Sequence, residues 1–162
     1  MGIRRGGFWL LAILVLGGCA TAPPSRDAWS VSDAGRAATD PRRQAVLHEA
    51  DAQIGTPYRY GGADPRGFDC SGLVQFVYRS VGLAVPRTAA AQRRHAQPVA
   101  VDHLQAGDLV FFRIVDGKGD HVGIYAGDGW FIHAPSGGKA VSRASLANPY
   151  WRSQLAGAGT YL

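Results

Sequence analysis

Phe68-Asp69-Cys70-Ser71-Gly72-Leu73-Val74 has the form of a helix start with a thiol in its first turn. Asp69 stands at the N-cap, where a short carboxylate accepts hydrogen bonds from unpaired backbone N–H groups. Leu73, Val74, Val77 and Val81 then mark one apolar face of a helix that stops at Gly82. Cys70 therefore faces the positive end of a helix dipole, which favours a thiolate and makes it a candidate nucleophile. Taken alone, Cys70 also fits the plainer account of a buried, inert, small apolar residue.

Upstream, Ala45, Val46, Leu47, Ala50 and Ile54 recur at helical spacing from about Arg42, until Gly55 and Pro57 end the segment. Tyr58 to Phe68 reads as a loop. Downstream, a polar helical piece around Ala89 to His95 gives way to short β-branched or aromatic runs punctuated by glycine. These are Leu109-Val110-Phe111-Phe112, Val122-Gly123-Ile124-Tyr125-Ala126 and Trp130-Phe131-Ile132-His133-Ala134, each a strand pattern. Helices followed by an antiparallel sheet make an α+β domain, with the nucleophile at a helix start.

His121 and His133 lie on the two strands of a hairpin whose tip is Gly127-Asp128-Gly129. With those three residues as the loop, Ala126 pairs with Trp130 and Gly123 faces His133. The histidines then project from one face as diagonal neighbours, about 7 to 8 Å apart at the backbone, and Gly123 leaves space between them. A two-residue turn would shift the register by one and send them to opposite faces. In the three-residue arrangement His121 pairs with Cys70 and His133 orients His121, the logic of a cysteine hydrolase. Two other accounts fit the same residues: polar side chains satisfied at a sheet rim, or a Cys-His-His zinc site with an open fourth position. No short ligand pair such as C-x-x-C seeds the latter, so no metal or other cofactor is expected.

Before this domain, Arg4 and Arg5 precede an apolar run from Phe8 to Leu16, too short for the roughly 20 residues of a membrane-spanning helix. The pattern is that of an export segment over residues 1–18. Leu16-Gly17-Gly18-Cys19 follows and resembles the lipobox of bacterial lipoproteins, which implies that Cys19 carries lipid. Residue 20 is Ala rather than Asp, so the resemblance implies the outer membrane, facing the periplasm. Residues 19–41 are rich in Ala, Ser, Pro, Thr and Asp and read as a flexible spacer. The domain proper is expected over 42–162.

Composition narrows the function. The 162 residues are 46% apolar and 18% charged, which bounds the chain to one modest domain and excludes a disordered polyelectrolyte. Setting aside Arg4 and Arg5 leaves 15 of the 17 basic side chains against 12 acidic ones, too weak and scattered for a nucleic-acid footprint. Cys19 and Cys70 are the only cysteines, too few for a disulfide framework. His48, His95 and His103 read as solvated, the Arg42-Arg43 and Arg93-Arg94 pairs as exposed faces, and Trp130, Phe131 and Trp151 as core or groove wall.

The blocks Gly55-Thr56-Pro57-Tyr58-Arg59-Tyr60-Gly61-Gly62, Phe68 to Val74, Val85-Pro86-Arg87-Thr88 with Gln92, Ala106 to Phe112, His121 to Tyr125 and Ile132-His133-Ala134 together resemble the NlpC-type cell-wall cysteine peptidases. The likeness runs from about residue 45 to 162 and keeps the block order. It implies a reduced papain-like fold with Cys70 as nucleophile, His121 as base and His133 as the polar third member. It also implies that Tyr58 helps to polarise the scissile carbonyl, and that Asp69 and Ser71 border the substrate pocket. Asn148-Pro149-Tyr150-Trp151 makes the chain look most like the small lipoprotein endopeptidases that open the D-Ala–meso-diaminopimelate cross-link. Other members cut the D-γ-glutamyl-diaminopimelate bond, and a catalytically silent wall-binding lipoprotein is the rival of another class. The partners implied are peptidoglycan stem peptides and, through lipid, a membrane, with the chain taken as a monomer. Ala156-Gly157-Ala158-Gly159-Thr160 departs from the small-plus-basic ending of that family and leaves a final strand unassigned.

Overall fold

The computed structural model describes residues 40–114 and 119–162, with Met1 and Gly2. The expected export segment beyond Gly2, Cys19 and the spacer as far as residue 39 lie outside the described residues.

Helix α1 (Pro41–Ala52) opens with Asp40 accepting from the Arg42 N–H and with proline in the first turn, and it buries Val46 and Ala50. It stops short of Ile54, which is exposed, because the chain turns away to bond another segment: Gly55 N–H donates to the Val141 carbonyl and Tyr58 N–H to that of Lys139. Arg43 is not the exposed side chain expected. It forms a 2.8 Å ion pair with the buried Asp108 and ties α1 to the sheet. Within the expected loop lies a small hairpin, β1 (Ala63–Asp64) and β2 (Gly67–Phe68). Helix α2 (Cys70–Ser80) follows and buries Leu73, Val74, Val77 and Tyr78, with the Tyr78 hydroxyl donating to the Gly107 carbonyl. Helix α3 (Ala89–His95) is capped by Thr88.

The remainder is one antiparallel sheet. Its strands are β3 (Gln97–Val99), β4 (Leu109–Ile114), β5 (Gly119–Gly127), β6 (Trp130–His133), β7 (Ser142–Ser145) and β8 (Leu155–Thr160), in the spatial order β3-β8-β4-β5-β6-β7. A short helix α4 (Pro149–Gln154), capped by Asn148, sits between β7 and β8. The α+β layout is as expected, and the final strand is present after all. β8 is central, between β3 and β4, and its small residues suit that crowded place: a Cβ on Gly159 would lie 2.8 Å from that of Ala96.

Strand alternation gives the sheet two faces. Leu109, Phe111, Val122, Ile124 and Ile132 join Val46, Leu73 and Val77 of the helices in the main core. Val110, Phe112 and Phe131 form a second apolar cluster on the opposite face, against Trp151 of α4.

Candidate active site

Asp69 caps α2 as expected, accepting from the Gly72 N–H at 2.7 Å in extended backbone geometry. Its carboxylate does more than cap. Arg87 donates to both oxygens, at 2.6 and 3.0 Å, while the Ser71 hydroxyl and the Gly61 N–H supply two further bonds. Burial opposes the charge on Asp69, but Arg87, Gly72 and Ser71 outweigh it and hold the carboxyl below its ordinary range. The preceding loop packs against this turn so closely that a Cβ on Gly72 would lie 1.9 Å from the Gly62 carbonyl oxygen. Tyr58 is fixed from both sides, through its bridge to Phe68 and its N–H bond to Lys139. Burial, then the charges of Cys70 and Asp69, raise its phenol, so the hydroxyl stays protonated and able to donate.

The β5–β6 hairpin reaches the expected result by a different route. Gly127, not Ala126, pairs with Trp130, and the turn is the two residues Asp128 and Gly129, both at positive φ (51° and 76°). Such a turn by itself would separate the histidines. Ala126 bulges out between Tyr125 and Gly127, and the pairs Tyr125↔Phe131 and Ile124↔Ile132 regain the register expected for a three-residue loop. His121 Nε2 consequently lies 2.9 Å from His133 Nδ1, with the rings perpendicular at 89°. Gly123 plays another part than the one expected. The space of its missing side chain is taken by the Phe131 ring, 2.5 Å from where a Cβ would stand, and that ring packs 5.2 Å from His133.

Cys70, His121, Tyr58, Asp69 and Ser71 all line one groove of about 720 Å³, while His133 lies buried behind His121. The Val122 N–H, next in chain to His121, bears on the Cys70 sulfur, as do those of Ser71 and Cys70 itself. The sequence expectation of a lowered thiol is overturned here. Burial pushes Cys70 up, the Val122 N–H offsets only part of that, and the Asp69 charge adds to the rise. Burial also brings His121 down to about 4 and His133 down to about 3, the latter with help from His121 and Lys139. Burial thus disfavours charge on the thiol and on both imidazoles alike. Among the described residues no group of three or more His, Cys, Asp or Glu side chains could hold a metal ion.

Sequence reasoning left Trp151 as core or wall. It lines the groove and stacks on His121, with ring centroids 5.5 Å apart and planes 26° from parallel. Arg87 was seen only within a motif block, and its pairing with Asp69 joins residues 18 apart that no local pattern connects.

Residues 55–160 match the NlpC/P60 family. The chain belongs to that family. It is 42% identical over 135 residues to murein DD-endopeptidase MepH of Escherichia coli, a match covering 80% of this chain and 49% of that protein. It is 38% identical over 124 residues to a gamma-D-glutamyl-L-lysine dipeptidyl-peptidase of Bacillus cereus, covering 75% of this chain and 37% of that one. The crystal structure of an NlpC/P60 family protein from Bacillus cereus superposes with a TM-score of 0.69 at 38% identity, over 74% of this chain and 40% of the other. The chain thus spans about half or less of the length of these relatives. The order of elements described above, with the cysteine opening a helix and the histidines on a sheet hairpin, is the NlpC/P60 fold in this chain.

Proposed function

We propose that this NlpC/P60 chain is a cysteine peptidase that hydrolyses amide bonds of peptidoglycan stem peptides. One observation carries the reading: His121 Nε2 is engaged by His133, which leaves His121 Nδ1 for the Cys70 thiol in the same groove. Cys70 Sγ attacks the scissile carbonyl carbon while its proton passes to His121 Nδ1. His121 donates from Nε2 to His133 Nδ1, which keeps Nδ1 an acceptor at rest and steadies the imidazolium that forms. The Tyr58 hydroxyl and the N–H groups at the start of α2 face the oxyanion. His121 then gives the proton to the departing amine, the C–N bond breaks and a thioester remains. Water, deprotonated by His121, attacks the thioester carbon, and the sulfur leaves and recovers a proton.

The bond favoured is the D-Ala–meso-diaminopimelate cross-link, a choice supported by the 42% identity to a protein named murein DD-endopeptidase. The 38% identity to a protein named for a gamma-D-glutamyl bond supports the second reading, cleavage within one stem next to diaminopimelate. Mass spectrometry of products from purified cross-linked and uncross-linked muropeptides separates them. Loss of the cross-linked dimer to two monomers is the expected result, absent with Cys70→Ala. Identical profiles for wild type and Cys70→Ala would leave a wall-binding protein in place of an enzyme. Inactivation by iodoacetamide and not by EDTA is expected, and the reverse would assign the same side chains to zinc.

The order of basic start, apolar run and Leu16-Gly17-Gly18-Cys19 supports a lipid tether on Cys19, and Ala rather than Asp at residue 20 supports an outer-membrane location facing the periplasm. That Cys70, His121 and His133 come from a single chain supports action as a monomer. Metabolic incorporation of an alkyne fatty acid, lost with Cys19→Ala, is the outcome that fits the tether. Unchanged labelling of that variant would remove it.

A further inference from the structure

We propose that Trp151 is a positioning residue for the His121–His133 pair, its indole forming a roof that keeps water off the hydrogen bond between the two imidazoles. The inference rests on the reading above, in which His121 is the base. Among the described residues Trp151 is the one ring that touches both partners: it stacks on His121 at 5.5 Å and meets His133 nearly edge-on at 4.9 Å. It is itself wedged against Phe112 at 4.9 Å and Phe131 at 5.3 Å, the rings that lie along His121 and His133 from within the sheet. The two imidazoles are therefore enclosed by three apolar rings, from β4, β6 and α4. Their mutual hydrogen bond is 2.9 Å long, and among the described residues neither ring has another hydrogen-bond partner given by the structure.

A neutral hydrogen bond open to solvent has little to hold it, because water competes for both partners. The same bond in a dry, low-dielectric setting is stronger and more directional. Trp151 is partly buried against the second apolar cluster, and the side it leaves open lines the substrate groove. It stands where water from the groove would otherwise enter. Its placement is rigid, since Asn148 caps α4 and the helix runs directly into β8, whose Leu155 pairs with Phe112. Charged and titratable groups facing the pair are Cys70 from α2, Lys139 from the loop before β7 and Asp120 beside His121 on β5. None of these shields the bond, and Lys139 disfavours a charged His133. Burial is the largest cause of the lowered histidines, and Trp151 is a ring packed against both of them.

Two variants test this. Trp151→Phe keeps a flat ring over the pair, while Trp151→Leu keeps apolar bulk without one, and both preserve enough core to fold. For muropeptide cleavage, Trp151→Leu is expected to lower kcat about 10-fold or more with KM within about 3-fold, and Trp151→Phe to recover most of kcat. A second readout needs no substrate. The pH profile of Cys70 alkylation by iodoacetamide should move its acid limb upward by about one unit in Trp151→Leu, toward the ordinary imidazole value, and much less in Trp151→Phe. The downfield proton resonance of the His121–His133 hydrogen bond should broaden or vanish in Trp151→Leu alone. A loss confined to KM would make Trp151 a substrate wall and overturn the proposal, as would an unmoved alkylation profile with an intact resonance. Wild-type protein that alkylates at Cys70 but cleaves no muropeptide would sink the peptidase reading, while the alkylation profile and the resonance would still decide the role of Trp151.

Discussion

Asp69 and His121 line one groove from different elements, the start of α2 and strand β5, and are held by different physics. Asp69 accepts from Gly72, Ser71, Gly61 and Arg87, the last through two nitrogens, and Gln92 adds a bond to the Ser71 carbonyl from behind. The nucleophile is thus located by directional polar bonds that tolerate nearby water. Among the described residues His121 has a single hydrogen-bond partner, His133, and is otherwise located by the rings of Trp151 and Phe112. A nucleophile needs its sulfur aimed and exposed to substrate. A base needs one tautomer and one proton acceptor, which a dry aromatic cage with one hydrogen bond supplies.

The harshest test of the contrast removes the imidazole itself. His121→Ala is expected to reduce kcat/KM by about 10³ or more, the scale of a lost general base. Circular dichroism should show the fold intact, because the loss is one of proton transfer and not of support. A residual rate within tenfold of wild type would assign the base elsewhere.

Each wall also has a glycine on which its packing closes, and these differ in what they touch. An added Cβ at Gly72 meets the Gly62 backbone oxygen at 1.9 Å, while one at Gly123 meets the edge of the Phe131 ring at 2.5 Å. Backbone has nowhere to go, whereas a ring can tilt. Gly72→Ala is expected to destabilise more than Gly123→Ala, which should cost about 1 to 3 kcal/mol as an overpacked core does. Gly123→Ala should also lower kcat, since the displaced Phe131 carries His133 with it. Chemical denaturation ranks the two, and equal costs would mean that the polar wall is as pliable as the aromatic one.

Legibility in the sequence divides along the same line. The nucleophile wall is local: Asp69, Cys70 and the Leu73, Val74, Val77 stripe sit within one helix start, so cap and thiol can be read from spacing. The histidine wall is partly local. Its hairpin shows in Gly127-Asp128-Gly129, but the bulge at Ala126 that restores the register depends on how β6 lies against β5, and alanine carries no sign of it. Trp151, β3 and β8 are legible only in three dimensions. The β8 residues Ala156 to Gly159 lack the branched or aromatic side chains of a strand because Ala96 and β3 press close, and their pairing comes from partners about 45 to 60 positions away. The rise of the Cys70 thiol runs against the reading from its helix start for a related reason. A helix start can be read from one segment, but the burial that outweighs it comes from the sheet.

The mildest test separates the walls by acid. An unfolded imidazole has an ordinary value of 6.5, and in the fold His121 sits at about 4 and His133 at about 3. Below 6.5 the unfolded chain binds protons that the folded one refuses, so stability is lost as pH falls from about 6.5 toward 4. Asp69 behaves in the opposite sense of charge but the same direction of pH. Its folded value lies below the ordinary 3.8, so its contribution is whole above 3.8 and is lost only as pH falls through the folded value. Thermal melts across pH 7 to 3 should therefore show two steps, the first from the aromatic wall and the second from the polar one. His133→Asn should flatten the first step and leave the second. Arg87→Met, which removes the main partner that lowers Asp69, should bring the folded value back toward the ordinary one and so shrink the second step while leaving the first. If either variant altered both steps, the two walls would be one electrostatic unit, and the division of labour between a bonded nucleophile and a shielded base would fail with it.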